Sequence, residues 1–378
     1  MKTARILFVV ESGTDVRLVD GLAEQANIVV LARRLPDGVE ISQPGAHAVP
    51  IIVGPASRAG FAAWVFSRLL GARRAADRVL VQNYGAAAVA ANAAARVTRT
   101  PTFMLVCSPT ERYYRCRRDH PMPDKPFRTA ELAALERVAR LNARWGRHYV
   151  VLSEHLASVV RSHGTTRPVS IVPVYGVDAA VFRPADHPRD LLRRQRGLPE
   201  QGEIVFFSSR IAPEKDGETL LAAFRRLRAA GRDIWLLHRS GGYRTFQAHA
   251  ERARIGDRVI ATDAAHPLHE LPLDYQSSDL CVQASREEGL GFSPLEALAC
   301  ETPVVAAAVG GLKETIVDGA TGWTYPVGDA AALAHAMKEA LTRREEARRR
   351  AQAGRRMVLE RYERSLVFDR LMAILESA

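Results

Sequence analysis

Short runs of β-branched and other apolar residues alternate along this chain with stretches rich in alanine, leucine and arginine. Eleven of these runs have the length and composition of strands, at positions 5–10, 28–31, 79–82, 102–107, 148–152, 169–174, 203–208, 234–238, 258–261, 279–283 and 303–307. Most of the stretches between them have helical spacing. Strands that alternate with helices favour parallel sheets covered on both faces. The sequence therefore predicts an α/β fold.

The number of strands argues for two doubly wound parallel sheets, one in each half of the 378-residue chain. The alternation is interrupted near 183–202, and a new apolar run begins at Ile204. We therefore expect an N-terminal Rossmann-like domain over 1–184 and a C-terminal one over 185–359. Apolar residues at helical spacing near the end of the chain predict a C-terminal helix over 360–378.

The composition excludes several classes of protein. The formal net charge of +11 favours anionic ligands, but no zinc finger, basic zipper or RNA-binding aromatic signature is found, so we expect no nucleic-acid partner. The four cysteines form no Cys-x-x-Cys pair and the histidines no His-x-x-x-His pair. We therefore expect neither a bound metal nor a cofactor.

The apolar runs are all shorter than the roughly 18 residues of a membrane-spanning helix, and the run at 5–10 is too short for a signal peptide. We expect a cytoplasmic protein. Residues 57–74 combine aromatic and aliphatic side chains with flanking arginines, including Arg73 and Arg74. This pattern suits a helix that lies on the anionic inner face of a membrane. The alternative is an ordinary amphipathic helix of the first domain.

The most informative segment follows the strand at 279–283. Glycines at Gly289 and Gly291 stand between that strand and a predicted helix, where they allow the backbone to approach a ligand closely. Ser293 as N-cap and Pro294 as first residue mark the helix start, which would present free backbone N–H groups to an anion. Simpler explanations stay open: Glu296 completes a capping box with Ser293, Glu288 is a solvated acid, and the glycines form a plain turn.

A second segment follows the strand at 203–208. It places Arg210 and Lys215 five residues apart, on a loop and at a predicted helix start. Cations after the carboxyl end of a parallel strand lie where ligands bind in such folds. Arginine offers a planar fork to phosphate, and lysine a mobile point charge. The alternative is two exposed cations without a ligand.

Two further turns complete the pattern. Gly310-Gly311 follows the strand at 303–307 and precedes a helix containing Glu314. The run from Gly176 to Pro184 has Gly and Asp after a strand, which suggests a tight turn before the second half.

Taken together, these segments resemble the retaining glycosyltransferases of the GT-B fold, the large glycosyltransferase family 4 or "glycosyl transferases group 1". That family carries two glutamates at the spacing of Glu288 and Glu296 with Gly-x-Gly after the first, and Arg-x-x-x-x-Lys after a strand, as at Arg210 and Lys215. It also carries Gly-Val-Asp-x-x-x-Phe-x-Pro, as at 176–184, and Gly-Gly before Glu, as at 310–314. The resemblance is strong over about 170–330 and looser over 1–165.

The resemblance implies two Rossmann-like domains that face each other across a cleft, with a C-terminal helix crossing back to the first domain. It also implies transfer of a hexose-type sugar from a nucleotide-sugar donor to a hydroxyl acceptor, which would be a glycan, a lipid-linked acceptor or a small molecule. Such enzymes usually need no metal and retain the anomeric configuration. A noncatalytic nucleotide- or polyanion-binding protein and a sugar-nucleotide epimerase or hydrolase are the alternatives.

Residue roles follow from the same resemblance. Arg210 and Lys215 would clamp the donor diphosphate, Glu288 would hold hydroxyls of the transferred sugar, and Glu296 would bind the ribose. Catalysis is thereby assigned to Arg210, Lys215 and Glu288. The remaining predicted donor contacts are backbone groups at Gly289, Leu290, Gly291, Phe292 and Gly13.

This chain departs from the family pattern mainly on the acceptor side. Tyr175 stands where relatives often have Asn, and Cys107-Ser108-Pro109 stands where many have His. The first loop reads Glu11-Ser12-Gly13 instead of carrying paired glycines, and His238-Arg239-Ser240 replaces the start of a Gly-x-Gly motif. The identity of the sugar and of the acceptor is therefore left open by the sequence.

Overall fold

The computed structural model describes residues 4–35, 41–42, 49–71, 77–122, 125–263 and 270–377. Its packing contacts divide the chain into two compact units. The first unit comprises Met1–Tyr114, Phe127–Gly176 and Ser365–Ala378, and the second comprises Arg115–Pro126 and Val177–Arg364.

The first unit is built on a seven-stranded parallel sheet. Its strands and the short strand pair beside it are β1 Arg5–Val10, β2 Thr14–Asp15, β3 Asn27–Arg33, β4 Ile41–Ser42, β5 Ile51–Gly54, β6 Arg78–Gln82, β7 Thr102–Val106, β8 His148–Val151 and β9 Val169–Ile171. The sheet order is β5-β3-β1-β6-β7-β8-β9, with β2 paired to β4 separately. The helices that follow these strands are α1 Val16–Gln25, α2 Arg58–Gly71, α3 Ala86–Thr98, α4 Thr110–Asp119, α5 Thr129–Trp145 and α6 Glu154–Ser162.

The second unit is built on a six-stranded parallel sheet in the order β12-β11-β10-β13-β14-β15. These strands are β10 Glu203–Phe207, β11 Ile234–Arg239, β12 Val259–Thr262, β13 Leu280–Gln283, β14 Val304–Ala307 and β15 Trp323–Tyr325. The helices are α7 Arg189–Gln195, α8 Gly217–Ala229, α9 Tyr243–Arg252, α10 Leu271–Ser277, α11 Phe292–Ala299, α12 Leu312–Thr315, α13 Ala330–Thr342, α14 Arg344–Arg361 and α15 Arg364–Glu376. Short 3₁₀ helices span Pro213–Lys215 and Gly256–Arg258.

Each sheet follows directly from the apolar strand runs, because strands buried on both faces need apolar residues at every position. In β10, Ile204 to Phe207 are all buried, and β13 and β14 are buried throughout. The apolar faces of α8 and α13 cover this sheet, through Leu220, Phe224 and Met337 among others. The predicted α/β fold with one parallel sheet in each half is confirmed.

The C-terminal helix predicted over 360–378 corresponds to α15, Arg364–Glu376, and a short break separates it from the preceding helix α14. The break lies at Tyr362–Glu363, and Val177 pairs with both sides of it: the amide of Val177 donates to the Tyr362 carbonyl (2.7 Å), and the amide of Arg364 donates to the Val177 carbonyl (3.1 Å). From Ser365 onward, α15 belongs to the first unit.

Helix α2 covers most of the segment predicted to contact lipid. It buries Phe61, Val65 and Leu69 within the first unit and packs on α3, so this apolar face is used internally. Arg73 and Arg74 lie outside the described residues, and lipid contact stays a prediction. Within the described part of the chain, none of the helices combines the length and the apolar composition needed to cross a bilayer.

Candidate functional site

The second sheet is extended first on one side of its central strand and then on the other, and this change of direction creates a crevice. From β10 the chain builds outward to β11 and β12 on one side, and β13, β14 and β15 then extend the other side. The neighbouring strands β10 and β13 therefore form the topological switch point, outside whose carboxyl ends ligands bind in such sheets. The loop after β10, residues 208–216, and the loop after β13, residues 284–291, meet there. They carry most of the predicted site residues.

Lys215 and Glu288 form an ion pair between these two loops. The Lys215 ammonium donates to Oε2 of Glu288 at 2.6 Å. The same oxygen accepts from Ser285 Oγ at 2.9 Å and from Gln283 Nε2 at 3.1 Å. Lys215 and Glu288 are largely buried, with 15% and 9% of their side chains exposed. The alternatives of a solvated Glu288 and an exposed Lys215 are therefore wrong.

The electrostatics keep Glu288 ionised. Burial raises the pKa of this carboxyl, but the charge and hydrogen bond of Lys215, the hydrogen bond from Ser285 and the charge of Arg210 together hold the pKa below its ordinary value. The carboxylate is thus available at neutral pH to accept hydrogen bonds from ligand hydroxyls.

Arg210 belongs to the same cluster of charges but is placed differently. Its guanidinium donates to the carboxylate of Glu214, and 61% of its side chain is exposed. Its charge nevertheless contributes to the lowered pKa of Glu288. The structure thus brings Arg210, Lys215 and Glu288 together at one edge of the sheet, with the arginine reaching toward solvent.

The glycine loop is buried and leads directly into a helix. Helix α11 begins at Phe292, two residues earlier than predicted, with Gly291 as N-cap at φ 93°. The prediction of Ser293 as N-cap and Pro294 as first residue is wrong, because glycine adopts this left-handed conformation readily and starts the helix sooner. Proline is still tolerated within the first turn, where its missing N–H has no intrahelical partner.

Gly310 and Gly311 pack against the backbone of this loop. The amide of Gly311 donates to the Glu288 carbonyl at 3.0 Å. A Cβ at Gly310 would lie 2.1 Å from the Glu288 carbonyl oxygen, and one at Gly311 would lie 2.3 Å from that of Gly289. Only glycine allows the turn after β14 to approach the loop so closely. This turn therefore packs directly against the Glu288–Gly289 backbone and holds it in position.

Glu296 lies one turn into α11 and is buried. Its Oε2 accepts a hydrogen bond from the hydroxyl of Tyr275 at 2.8 Å. The start of α11 at Phe292 places Glu296 fifth in the helix, so the capping box with Ser293 is wrong. The predicted contact of Glu296 with a ribose stays a prediction.

Gly13 belongs to a different unit of the chain. It lies in the first unit, between β1 and the two-residue strand β2, after the carboxyl end of β1. Its predicted contact with the donor is untested. Across the described ranges, no group of three or more His, Cys, Asp or Glu side chains is arranged to hold a metal ion.

Sequence reasoning missed several side chains that order the cluster. Ser209 donates to Gln283 Oε1 at 3.1 Å and thereby joins the two loops, and Gln283 and Ser285 then bind Glu288. The Ser285-x-x-Glu288 spacing was the available local signal. Gln283 had none, because its role depends on β13 lying beside β10.

Comparison with known proteins finds a family model that matches most of the second unit. The model of the family described as "Glycosyl transferases group 1" matches residues 188–357. A D-inositol 3-phosphate glycosyltransferase from Geodermatophilus obscurus is 33% identical over 233 residues, which cover 59% of this chain and 50% of that protein. A GDP-mannose-dependent alpha-(1-6)-phosphatidylinositol monomannoside mannosyltransferase from Mycolicibacterium smegmatis is 32% identical, covering 50% of this chain and 51% of that protein. The chain therefore spans about half the length of these curated relatives.

Solved structures match over the whole chain. Anabaena HepE in complex with UDP-glucose superposes with a TM-score of 0.78 at 17% identity, covering 100% of both chains. The sucrose-phosphate synthase of Thermosynechococcus elongatus superposes with a TM-score of 0.78 at 20% identity, covering 99% of both chains. These likenesses establish the fold. The chain has the GT-B fold, and its residues 188–357 match the model of the glycosyl transferases group 1 family.

Proposed function

We propose that this protein is a retaining, metal-independent glycosyltransferase that moves a hexose-type sugar from a nucleotide-sugar donor to a hydroxyl acceptor. The observation that carries the proposal is the convergence of Arg210, Lys215 and the Glu288 loop at the switch point of the second sheet. Cations and a helix start in such a crevice suit a diphosphate. Glu288 would accept hydrogen bonds from hydroxyls of the transferred sugar, and Glu296 from those of the ribose.

The proposed chemistry is a same-face displacement. The bond from the anomeric carbon to the diphosphate oxygen breaks, the acceptor oxygen bonds to the same face, and the acceptor proton passes to the departing phosphate. Lys215 and Arg210 would stabilise the charge that develops on that phosphate. A covalent route through Glu288 is disfavoured, because three hydrogen bonds already engage its Oε2 and reduce its nucleophilicity.

The relatives suggest which substrates to try. One relative is named for D-inositol 3-phosphate and another for GDP-mannose and phosphatidylinositol monomannoside, whereas a structural neighbour binds UDP-glucose. We therefore propose a UDP- or GDP-linked hexose as donor and include inositol phosphates, phosphoinositide lipids and glycans among candidate acceptors.

The test begins with thermal shifts against UDP, GDP, ADP and their sugars. A ligand present at about 100 times its Kd adds about 2.7 kcal/mol of stability, so the matching donor raises Tm clearly. The same donor is then incubated with the acceptor panel, and the anomer of the product is determined by NMR. We expect transfer with retained configuration. Release of free nucleotide without acceptor would instead indicate a hydrolase, and binding without turnover a noncatalytic protein.

Metal independence has its own experiment. We expect the transfer rate to be unchanged after dialysis against EDTA, because the two cations supply the charge that a divalent ion would otherwise provide. Loss of transfer in EDTA that Mg²⁺ or Mn²⁺ restores would contradict this part of the proposal.

A further inference from the structure

A second ion pair lies directly beside the Lys215–Glu288 pair. Asp216, the residue after Lys215, accepts a hydrogen bond from Nη2 of Arg286 at 2.9 Å, and Arg286 stands two residues before Glu288. The loops after β10 and β13 are thus joined by two neighbouring ion pairs. The proposed diphosphate chemistry uses the first pair and leaves the second unexplained.

Arg286 is anchored through both its backbone and its side chain. Its amide donates to the Glu214 carbonyl at 2.8 Å, and its guanidinium lies 3.5 Å from Thr219 Oγ1 as well as bonding Asp216. Glu214 precedes Lys215 immediately. Arg286 therefore binds residues on both sides of Lys215 in the chain.

Asp216 combines a left-handed backbone conformation with a buried carboxylate. Its backbone adopts φ 48°, a left-handed conformation in which aspartate and asparagine are the most tolerated residues after glycine. Its carboxylate caps α8 by accepting from the amide and the hydroxyl of Thr219, and only 4% of the residue is exposed. Among the ion pairs of the described residues, Arg286 is the cation that neutralises it.

The space around the guanidinium is shaped to hold it. A Cβ at Gly328 would lie 3.1 Å from Nη1 of Arg286, and Gly328 has φ 77°. Burial is the largest cause of the raised pKa of the Tyr325 hydroxyl. The charge of Asp216 raises this pKa further, and the charge of Arg286 lowers it. Arg286 is therefore enclosed, with 22% of its side chain exposed.

We propose that Arg286 is a positioning residue for the diphosphate grip, which it serves by neutralising Asp216 and fixing the loop after β10 against the loop after β13. This inference rests on the proposed function. Without the guanidinium, the buried Asp216 carboxylate would stand uncompensated beside Lys215, would compete for its ammonium and would repel a diphosphate. With the guanidinium in place, Lys215 is directed toward Glu288 and the donor.

The test compares four variants with the unmodified protein: Arg286→Met, Arg286→Lys, Asp216→Asn and the double variant Arg286→Met/Asp216→Asn. Asparagine keeps the left-handed conformation and the helix cap while it removes the charge. A matched control is Arg232→Met. Arg232 pairs with Glu203 at 2.6 Å, and its side chain has a similar exposure of 21%. This pair lies at the amino ends of the strands of the same sheet, away from the proposed site. Each variant is titrated calorimetrically with the nucleoside diphosphate that stabilises the unmodified protein.

We expect Arg286→Met to weaken nucleotide binding roughly tenfold or more, as neighbouring charges couple. Arg286→Lys should recover part of that loss. The double variant should bind more tightly than Arg286→Met alone, because the uncompensated carboxylate is gone. Arg232→Met should lower Tm without changing Kd.

The inference is overturned if Arg286→Met lowers only Tm and binds nucleotide normally, or if the double variant binds no better than Arg286→Met. If Arg286→Met does not fold, Arg286→Lys decides: an unchanged Kd in this variant rejects the positioning role. An unmodified protein that binds no nucleoside diphosphate rejects the proposed function and this inference with it. Normal binding by the unmodified protein together with normal binding by Arg286→Met rejects the inference alone.

Discussion

Glu288 illustrates how the site depends on the pairing of buried charges. Its carboxylate is held ionised by Lys215 across a sequence separation of 73 residues. The motif spacing and the family resemblance pointed to both residues, but their contact could not be predicted from sequence alone. It requires that β13 pairs with β10, and strand order is not encoded in local spacing.

Replacing Lys215 by methionine tests the pair at this scale. The variant keeps the length of the side chain and removes its charge. We expect turnover to fall by about 10²–10³, as when a charge-stabilising donor is removed. Stability should also fall, by about 3 kcal/mol, because Glu288 is left buried without its cation.

The double variant Lys215→Met/Glu288→Gln separates these two effects. Removing both charges should restore most of the stability but none of the turnover, as measured by urea unfolding and by the transfer assay. Turnover close to that of the unmodified protein in Lys215→Met would reject the proposed diphosphate clamp.

At the scale of elements, a short turn between a strand and a helix positions the backbone of the site. The Gly310-Gly311 turn after β14 lies against the backbone of the loop after β13.

All eleven predicted strands are present, because their apolar runs are long and bounded by turn residues. Strands β2, β4, β5 and β15 were not predicted. The early start of α11 was missed because Gly291 can cap a helix without a side chain.

The Gly-Gly turn can be tested with a matched pair of alanine substitutions. Gly311→Ala has no positive φ to strain, but its Cβ would meet the Gly289 carbonyl at 2.3 Å. Gly319→Ala is the control, with φ 77° and no atom of the described residues, apart from its chain neighbours, within 4 Å of its Cβ. We expect both to lose stability, the control by about 1–2 kcal/mol. Only Gly311→Ala should weaken nucleotide binding, and equal Kd values for the two would contradict the supporting role of this turn.

At the scale of the whole molecule, the two units differ in how far sequence reasoning reached. The family match covers 188–357 in the second unit and includes three of the four motifs. In the first unit the α/β alternation was predictable, but its ligands were not, since the loops after its strands depart from the family pattern. The first unit also takes in α15, whose Phe368 is buried against α1 at Gly21.

The packing of α15 on α1 predicts coupled mutations. A Cβ at Gly21 would lie 1.9 Å from Cζ of Phe368. We therefore expect Gly21→Ala to destabilise despite the better helix propensity of alanine. Phe368→Ala should cost about 3–5 kcal/mol. The double variant should cost less than the sum, because removal of the ring makes room for the methyl group. Additive losses in urea unfolding would show that this contact is absent in solution.

The most direct measurement is a crystal structure of the protein with the nucleoside diphosphate that raises its Tm. The account predicts diphosphate oxygens about 2.7–2.9 Å from Nζ of Lys215 and from the guanidinium of Arg210, with the start of α11 facing the same phosphates. A diphosphate bound elsewhere, or these two cations still held by Glu288 and Glu214 and turned away from the phosphates, would contradict it.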